Sequence, residues 1–209
     1  MEKSHNPPLP PNVEVVERSR PFEEREPVVV MLGRFSQEKR YHWVVREVAP
    51  RLVKEVPGAR LVIFGGAATP TLQAYYRRVW RLAEEAGLKV ADSLDAKADV
   101  YLIANAPRRT INEAMDRARA FLHATINEHW GIAVAEAMAR GLPVVVHKSG
   151  GAWTDLAEEG QYGLGYETAE EAVAAVAKML SDRATWSYHS ANSLKRVENI
   201  IFDKFKIKV

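Results

Sequence analysis

Short runs of apolar residues alternate with helical stretches along most of the chain, and this alternation limits the possible fold more than any other feature. The apolar runs contain almost no polar positions, whereas a strand with one solvated face alternates apolar and polar residues. Strands without that alternation are buried on both faces, as in a parallel sheet covered by helices. The sequence therefore predicts an α/β fold: a single Rossmann-like domain with a doubly wound parallel sheet, helices on both faces, and ligands at the carboxyl ends of the strands.

The individual elements are predicted from the apolar runs, from helical periodicity and from capping patterns. Pro50 should kink or interrupt the first helix, because proline removes a backbone donor. Thr110 and Thr168 each stand three residues before a glutamate, which is the pattern of a capping box at a helix start. The predicted strands are 28–32, 61–64, 99–103, 121–124 and 144–146, with a weaker one at 88–90, and the predicted helices include 43–54 and 71–86.

Composition divides the chain into three predicted parts. Residues 1–26 are interpreted as a Pro-rich linker or hinge, because four of the eleven prolines lie between 7 and 11 and proline favours extended backbone. Residues 27–190 form the predicted Rossmann-like nucleotide-sugar-binding domain. Residues 191–209 are a basic C-terminal segment that can form a helix.

The charge balance and the lack of cysteine exclude several classes of protein. Lys and Arg total 29 against 27 acidic residues, a net charge of +2, so no basic field indicates nucleic-acid binding. The absence of cysteine excludes disulfides and thiol chemistry and favours a cytoplasmic protein. The six histidines lack the spacing of metal ligands, so we expect no metal and no other cofactor. No signal peptide or transmembrane segment is predicted, and peripheral membrane association remains open.

The segment 127–146 contains two carboxylates, Glu128 and Glu136, around the start of a predicted helix that ends at a Gly-x-Pro stop. A helix N-terminus offers unpaired N–H groups and the positive end of a dipole, which suit phosphate. The two glutamates are about two turns apart at ~3.6 residues per turn, and so lie roughly on one face. This pattern predicts a nucleotide-sugar site, with a plain solvated helix face as the alternative.

A second candidate element follows the first predicted strand. Gly33 permits a tight turn there, and Arg34 and Lys39 place two cations at the carboxyl edge of the sheet. The planar fork of arginine and the point charge of lysine together suit a diphosphate. Ordinary solvated loop charges are the alternative interpretation.

Four motifs stand in order along the chain: Gly33-Arg34 with Lys39; Leu61-Val62-Ile63-Phe64-Gly65; Glu128-x7-Glu136 followed by Ala-Met-Ala-x-Gly-x-Pro; and Ser149-Gly150-Gly151. Between residues 28 and 182 the chain resembles the C-terminal half of the retaining glycosyltransferases of the two-Rossmann-domain type, group 1. The sequences of segments 122–132 and 147–151 resemble in particular those of the mannosyltransferases of asparagine-linked glycan assembly that use GDP-mannose. The resemblance implies the donor-binding domain of such an enzyme. It also implies a mechanism in which charged groups of the protein stabilise the leaving diphosphate without a metal.

The resemblance also implies a role for each candidate residue. Glu128 would be the catalytic residue facing the transferred sugar, and Glu136 would bind the ribose hydroxyls. The donor diphosphate would be held by Arg34, Lys39, Gly131 and Ile132. The rest of the pocket for sugar and base would be formed by Gly33, Gly65, Ile103, His129, Trp130, Gly150 and Gly151.

The chain departs from the family pattern at Arg40, where relatives usually have glycine. The family's N-terminal Rossmann domain, which binds the acceptor and often the membrane, is expected as a partner in cis or as a separate chain. We expect this chain alone to be inactive, and a lipid-linked sugar is a candidate acceptor. Two other functions stay open, a non-catalytic nucleotide- or sugar-binding module and half of a sugar-nucleotide epimerase. His123, on an apolar strand, is interpreted as a core residue.

Overall fold

A computed structural model of the chain describes residues 13, 15–16 and 18–206. Within them a seven-stranded sheet runs in the order β3-β4-β2-β1-β5-β6-β7, and all neighbouring strands are parallel. This confirms the predicted parallel Rossmann-like sheet; the last strand was not predicted. The strands are β1 (Val28–Leu32), β2 (Arg60–Gly65), β3 (Val90–Ala91), β4 (Val100–Ala104), β5 (Ala120–His123), β6 (Val144–His147) and β7 (Leu164–Tyr166).

Helices connect the strands and cover the sheet. The α-helices are α1 (Tyr41–Trp43), α2 (Ala49–Glu55), α3 (Pro70–Glu85), α4 (Arg108–Arg117), α5 (Ile132–Ala139), α6 (Ala169–Ser181) and α7 (Arg183–Lys206). Two π-helical segments are Val44–Val48 and Ala152–Leu156, and short 3-10 helices are Phe22–Glu24, Gln37–Lys39 and Glu158–Gly160. No helix within the described residues is both long and apolar enough to cross a membrane.

The strands are apolar throughout because each face of the sheet carries its own core. In β1, Val29 and Met31 belong to a core cluster that also contains residues of α2, α3 and α6. Val28 and Val30 belong to a second cluster, with residues of α4, α5 and α7. Successive side chains of a strand point to opposite faces. Both sets are therefore removed from water, as the all-apolar runs predicted.

Two predicted helix starts have different outcomes. The capping box at Thr168 is confirmed, since its Oγ1 accepts a hydrogen bond from the backbone N–H of Glu171 at 3.2 Å. The one at Thr110 is wrong, because α4 begins two residues earlier, at Arg108, with Pro107 as its N-cap. The extended backbone of Pro107 ends the loop there. The interruption expected at Pro50 is present as the π-helical segment just before α2.

The predicted three-part division stays a prediction, and the structure describes residues in each of its three segments. The proline cluster of the predicted linker lies outside those residues, while Arg25 within the same part is only 3% exposed. Its guanidinium donates hydrogen bonds to the carbonyl oxygens of Met115 at 3.1 Å and Ala118 at 2.9 Å. At the other end, α7 crosses the predicted boundary at 190/191 without a break. Arg25 is thus bonded to the end of α4, and α7 packs against α5 and α6.

Candidate functional site

A cleft of about 380 Å³ lies beyond the carboxyl ends of β1 and β5. The strand order reverses between these two neighbouring strands. Strands β2 to β4 lie on one side of β1, and β5 to β7 lie on the other. Ligands of doubly wound sheets bind at such a switch point. The lining residues are Leu32, Gly33, Arg34, Lys39, Arg108, His123, Glu128, His129, Trp130, Gly131, Ile132, Ala133 and Glu136.

A larger pocket, of about 520 Å³, lies at the opposite edge of the sheet. Its lining includes Arg60, where β2 begins, and Asp99, just before β4. That edge holds the amino ends of the strands, where this architecture does not place its ligands. The cleft at the carboxyl edge is therefore the candidate site.

The loop after β1 is held close to β2 by two glycines. The N–H of Gly33 donates to the carbonyl oxygen of Phe64 at 3.0 Å, and its own carbonyl accepts from the Tyr41 hydroxyl at 2.7 Å. A Cβ on Gly65 would collide with the carbonyl oxygen of Gly33. Gly65 therefore supports the loop from behind and does not line the cleft. Glycine at 65 is therefore needed for this close approach, whereas a Cβ on Gly33 would meet the side chains of Lys39 and Tyr41 at 3.0 Å.

The two cations predicted for this loop differ in their surroundings. Arg34 lies at the rim, with its side chain 71% exposed and 3.7 Å from Glu38. Lys39 turns inward, and its Nζ lies 3.4 Å from Oε2 of Glu128. One cation is therefore exposed at the mouth of the cleft, while the other is held against the predicted catalytic carboxylate.

Arg40, the departure from the family pattern, has a left-handed backbone with φ 57° and ψ 31°. That conformation costs a non-glycine residue roughly 1–2 kcal/mol, which explains why glycine suits the position. Here two contacts offset the cost. The Arg40 Nη1 donates to the carbonyl oxygen of Ala124 at 3.1 Å, and its guanidinium lies 4.4 Å from the centre of the Trp43 ring.

Glu128 is the centre of a polar cluster that joins three segments. Its Oε2 lies 3.0 Å from Nε2 of His123 and 3.4 Å from Nζ of Lys39. Its Oε1 accepts the backbone N–H of His129 at 3.2 Å. The hydrogen bond to His123, followed by the charge of Lys39, lowers the pKa of Glu128 to about 2. At neutral pH the group is a fixed carboxylate facing the cleft.

Glu128 should make protein stability depend on pH in the acid range. Its pKa in the folded chain, about 2, lies below the ordinary value of 4.5, so its stabilisation is complete above the ordinary pKa and is lost as pH falls towards 2. We expect Glu128→Gln to lower the free energy of unfolding at pH 6, and the difference from the wild type to shrink steadily below about pH 5. Urea unfolding of the wild type and of Glu128→Gln between pH 7 and pH 3 measures this difference in the free energy of unfolding. A difference that stays constant over this range would contradict the assignment.

The loop that carries Glu128 rests on the loop after β6. The N–H of Asn127 donates to Oγ of Ser149 at 2.8 Å, and the N–H of Gly151 donates to the carbonyl oxygen of Glu128 at 2.6 Å. A Cβ on Gly150, whose φ is +63°, would collide with the Glu128 backbone. Gly150 and Gly151, predicted as pocket residues, thus lie behind the loop and outside the lining of the cleft.

Ile103 also lies outside the lining of the cleft. It belongs to β4 and packs against the second core cluster. The other predicted pocket residues, Gly33, His129 and Trp130, do line the cleft. The structure therefore brings most of the predicted residues together and places four of them, Gly65, Ile103, Gly150 and Gly151, in the layer behind.

The N-terminus of α5 opens into the cleft. Gly131, with φ 90°, is the N-cap and supplies no side-chain cap, so the first N–H groups of the helix are available to an anion. Ile132 follows with 52% of its surface exposed. The start of α5 therefore lies at the same end of the sheet as Arg34 and Lys39, where the sequence predicted an anion-binding site.

Glu136 lies deeper, with 7% of its side chain exposed and its Oε2 2.8 Å from Nη1 of Arg108. Sequence reasoning missed this arginine, because the helix start was placed at Thr110. It also missed His123, whose place on an apolar strand indicated a core residue. His123 is indeed buried, but it ends β5 and so reaches Glu128. A polar residue at the last position of a strand was the available signal.

Comparison with known proteins gives the same family as the motifs. A family model described as "Glycosyl transferases group 1" matches residues 13–196. The chain is 28% identical over 166 residues to the GDP-Man:Man(3)GlcNAc(2)-PP-Dol alpha-1,2-mannosyltransferase of Xenopus laevis, covering 76% of this chain and 32% of that protein. It is 26% identical over 180 residues to a trehalose synthase of Pyrococcus horikoshii, covering 86% and 41%. The chain thus spans well under half the length of these relatives.

Solved structures share the fold. The crystal structure of TarM aligns with a TM-score of 0.69 at 14% identity, covering 92% of this chain and 36% of that one. A sucrose-phosphate synthase from Thermosynechococcus elongatus aligns with a TM-score of 0.67 at 23% identity, covering 90% and 46%. The family model extends over most of the chain and includes every residue of the cleft. The chain therefore belongs to the group 1 glycosyl transferases.

Proposed function

We propose that the cleft binds a nucleotide-sugar donor, GDP-mannose, and that the chain is the donor-binding domain of a retaining mannosyltransferase. The observation that carries the proposal is the pairing of charges in the cleft. Lys39 with Glu128 and Arg108 with Glu136 line it together with the N-terminus of α5. Cations and a helix N-terminus suit a diphosphate, and carboxylates suit the hydroxyls of sugar and ribose.

In this proposal the diphosphate lies between the loop after β1 and the N-terminus of α5. Arg34 and Lys39 contact it from one side, and the N–H groups at Gly131 and Ile132 from the other. Negative charge grows on the leaving diphosphate as the bond to the sugar breaks, so donors fixed around it stabilise the transition state. The proposal assigns this role to the protein's own cations and helix dipole.

The two carboxylates take different parts of the donor. Glu136, the more deeply buried of the two, accepts from the ribose hydroxyls. Glu128, nearer the loop and held ionised by His123 and Lys39, faces the transferred sugar. GDP-mannose is proposed because the names of several mannosyltransferase relatives specify GDP-Man as donor. The same names include PP-Dol, which supports a lipid-linked sugar as acceptor, bound through a second Rossmann domain at the cytoplasmic face of a membrane.

Arg34→Ala and Lys39→Ala should each weaken the binding of GDP far more than that of guanosine. A charge-assisted hydrogen bond contributes roughly 1.5–3 kcal/mol, which corresponds to about tenfold or more in affinity. Isothermal titration of both ligands against each variant measures the effect. Arg51→Ala is the control, because Arg51 is an exposed arginine of α2 that does not line the cleft.

Equal losses of GDP and guanosine binding in the two variants would remove the diphosphate assignment. A parallel titration with UDP-glucose and GDP-mannose identifies the donor. Tighter binding of UDP-glucose would overturn the choice of GDP-mannose and leave the donor-binding role in place.

A further inference from the structure

The first turn of α4 contains two consecutive arginines, Arg108 and Arg109, and no acidic residue. Cations are unfavourable there, because a helix N-terminus already carries positive partial charge. Arg109 has a local partner, since its Nε lies 3.0 Å from Glu113 one turn later, and its side chain is 89% exposed. Arg108 has no such local partner and instead reaches α5, so its position needs another explanation.

Arg108 spans the space between the surface of the cleft and a buried carboxylate. Its Nη1 donates to Oε2 of Glu136 at 2.8 Å. The Glu136 side chain is 7% exposed, whereas that of Arg108 is 43% exposed and lines the cleft. A guanidinium has five N–H donors in a rigid fork. One end of the fork is therefore fixed to the carboxylate while the rest of it faces the space proposed for the donor.

Only one of the two oxygens of the Glu136 carboxylate is bonded to Arg108. Among the described residues, the Arg108 guanidinium is the hydrogen-bond partner of Glu136, and it binds Oε2. An ionised carboxylate offers about four lone-pair sites on its two oxygens, so Oε1 keeps acceptors for a ligand. A carboxylate held at one oxygen presents the other in a fixed direction, which paired ribose hydroxyls require.

We infer that Arg108 is the positioning residue for ribose recognition, an inference that rests on the proposed function. It fixes Glu136 through Oε2, so that Oε1 accepts from the ribose hydroxyls. Without Arg108 the carboxylate would be buried without a partner, which is strongly unfavourable, and it would turn away or lose its orientation. Discrimination between ribose and 2′-deoxyribose therefore depends on a residue of α4 that need not touch the sugar.

Titration of GDP and 2′-deoxy-GDP separates this role from a general loss of binding. A site built around a hydroxyl rejects the analogue that lacks it, so the wild type should prefer GDP by about tenfold or more. Arg108→Met should reduce that preference to within about twofold, as should Glu136→Gln, and the double variant should show no further loss. Arg109→Met is the matched control and should keep the preference of the wild type.

The outcomes distinguish this inference from the proposed function. If the wild type discriminates and Arg108→Met still does so equally, the role of Arg108 is wrong while donor binding stands. If the wild type binds GDP without preferring it to 2′-deoxy-GDP, ribose recognition through Glu136 is also wrong. If the wild type binds no GDP, the proposed function fails and the inference fails with it. Should Arg108→Met not fold, as judged by circular dichroism, Arg108→Leu replaces it with the same expected loss of discrimination, because leucine also offers no donor to Glu136.

Discussion

The purified 209-residue chain should bind GDP-mannose and yet transfer no detectable mannose to an acceptor added in solution. The cleft is open at its rim, where Arg34 is 71% exposed and Ile132 52% exposed. Holding two reactants in position can account for ~7–11 kcal/mol of a barrier, and closing a site excludes the water that competes with the acceptor. A donor bound on one open surface has neither advantage, so turnover should fall by many orders of magnitude relative to a closed site.

The assay incubates the chain with radiolabelled GDP-mannose and a lipid-linked sugar, and it follows both transfer and hydrolysis. Glu128→Gln serves as the control, because it changes the predicted catalytic group while leaving Arg34 in place at the rim. Transfer by the wild type that Glu128→Gln abolishes would show that the chain is complete in itself for catalysis. Such a result would overturn the need for an acceptor-binding partner.

Replacing Arg25 should cause the largest loss of stability of any substitution considered. This guanidinium is 3% exposed and donates to the carbonyl oxygens of Arg20, Met115, Ala118 and Arg140 and to Oγ of Ser19. Burial lowers the pKa of Arg25 to about 10, so it remains charged at neutral pH. Each buried carbonyl left without a donor costs roughly 1–3 kcal/mol. Arg25→Met should therefore destabilise the chain by about 3 kcal/mol or more.

Thermal and urea unfolding test this expectation. A loss of about 3 kcal/mol lowers the melting temperature by roughly 6–12 °C in a domain of this size. Arg20→Met is the matched control, since the Arg20 side chain is exposed and contributes only its backbone carbonyl to the Arg25 network. A loss for Arg25→Met no greater than that of the control would mean that water replaces the guanidinium at little cost.

The sheet could be predicted from sequence because its information is local. A strand buried on both faces must be apolar at every position, and β1, at Val28–Leu32, lies where its apolar run predicted it. β7 escaped prediction because Leu164-Gly165-Tyr166 is short, contains glycine and lies at the edge of the sheet. α4 begins at Arg108, two residues before Thr110, because Pro107 and not Thr110 is its N-cap.

The candidate site could be predicted only in part. Arg34, Lys39, Glu128 and Glu136 stand in motifs whose spacing indicates their chemistry, and all four line the cleft. Their partners, His123 and Arg108, do not stand in motifs. His123 is near Glu128 in the chain, whereas Arg108 and Glu136 belong to different helices. His123 reaches Glu128 across the end of β5, and Arg108 reaches Glu136 from α4 to α5. The contact between Arg108 and Glu136 follows from the packing of α4 against α5, which no local pattern describes.

The two glycines after β6 have a consequence for how this site would be mapped by mutation. Gly150 and Gly151 lie against the backbone of Glu128 and His129, so any side chain there would displace the loop and its carboxylate. In a scan of random substitutions, both positions would therefore rank among the residues that bind the ligand, although neither lines the cleft. At this edge of the sheet, a position can be sensitive to substitution because it supports a loop, even when its own side chain does not contact a ligand. A map drawn from sensitivity alone would place the boundary of the site one layer too deep.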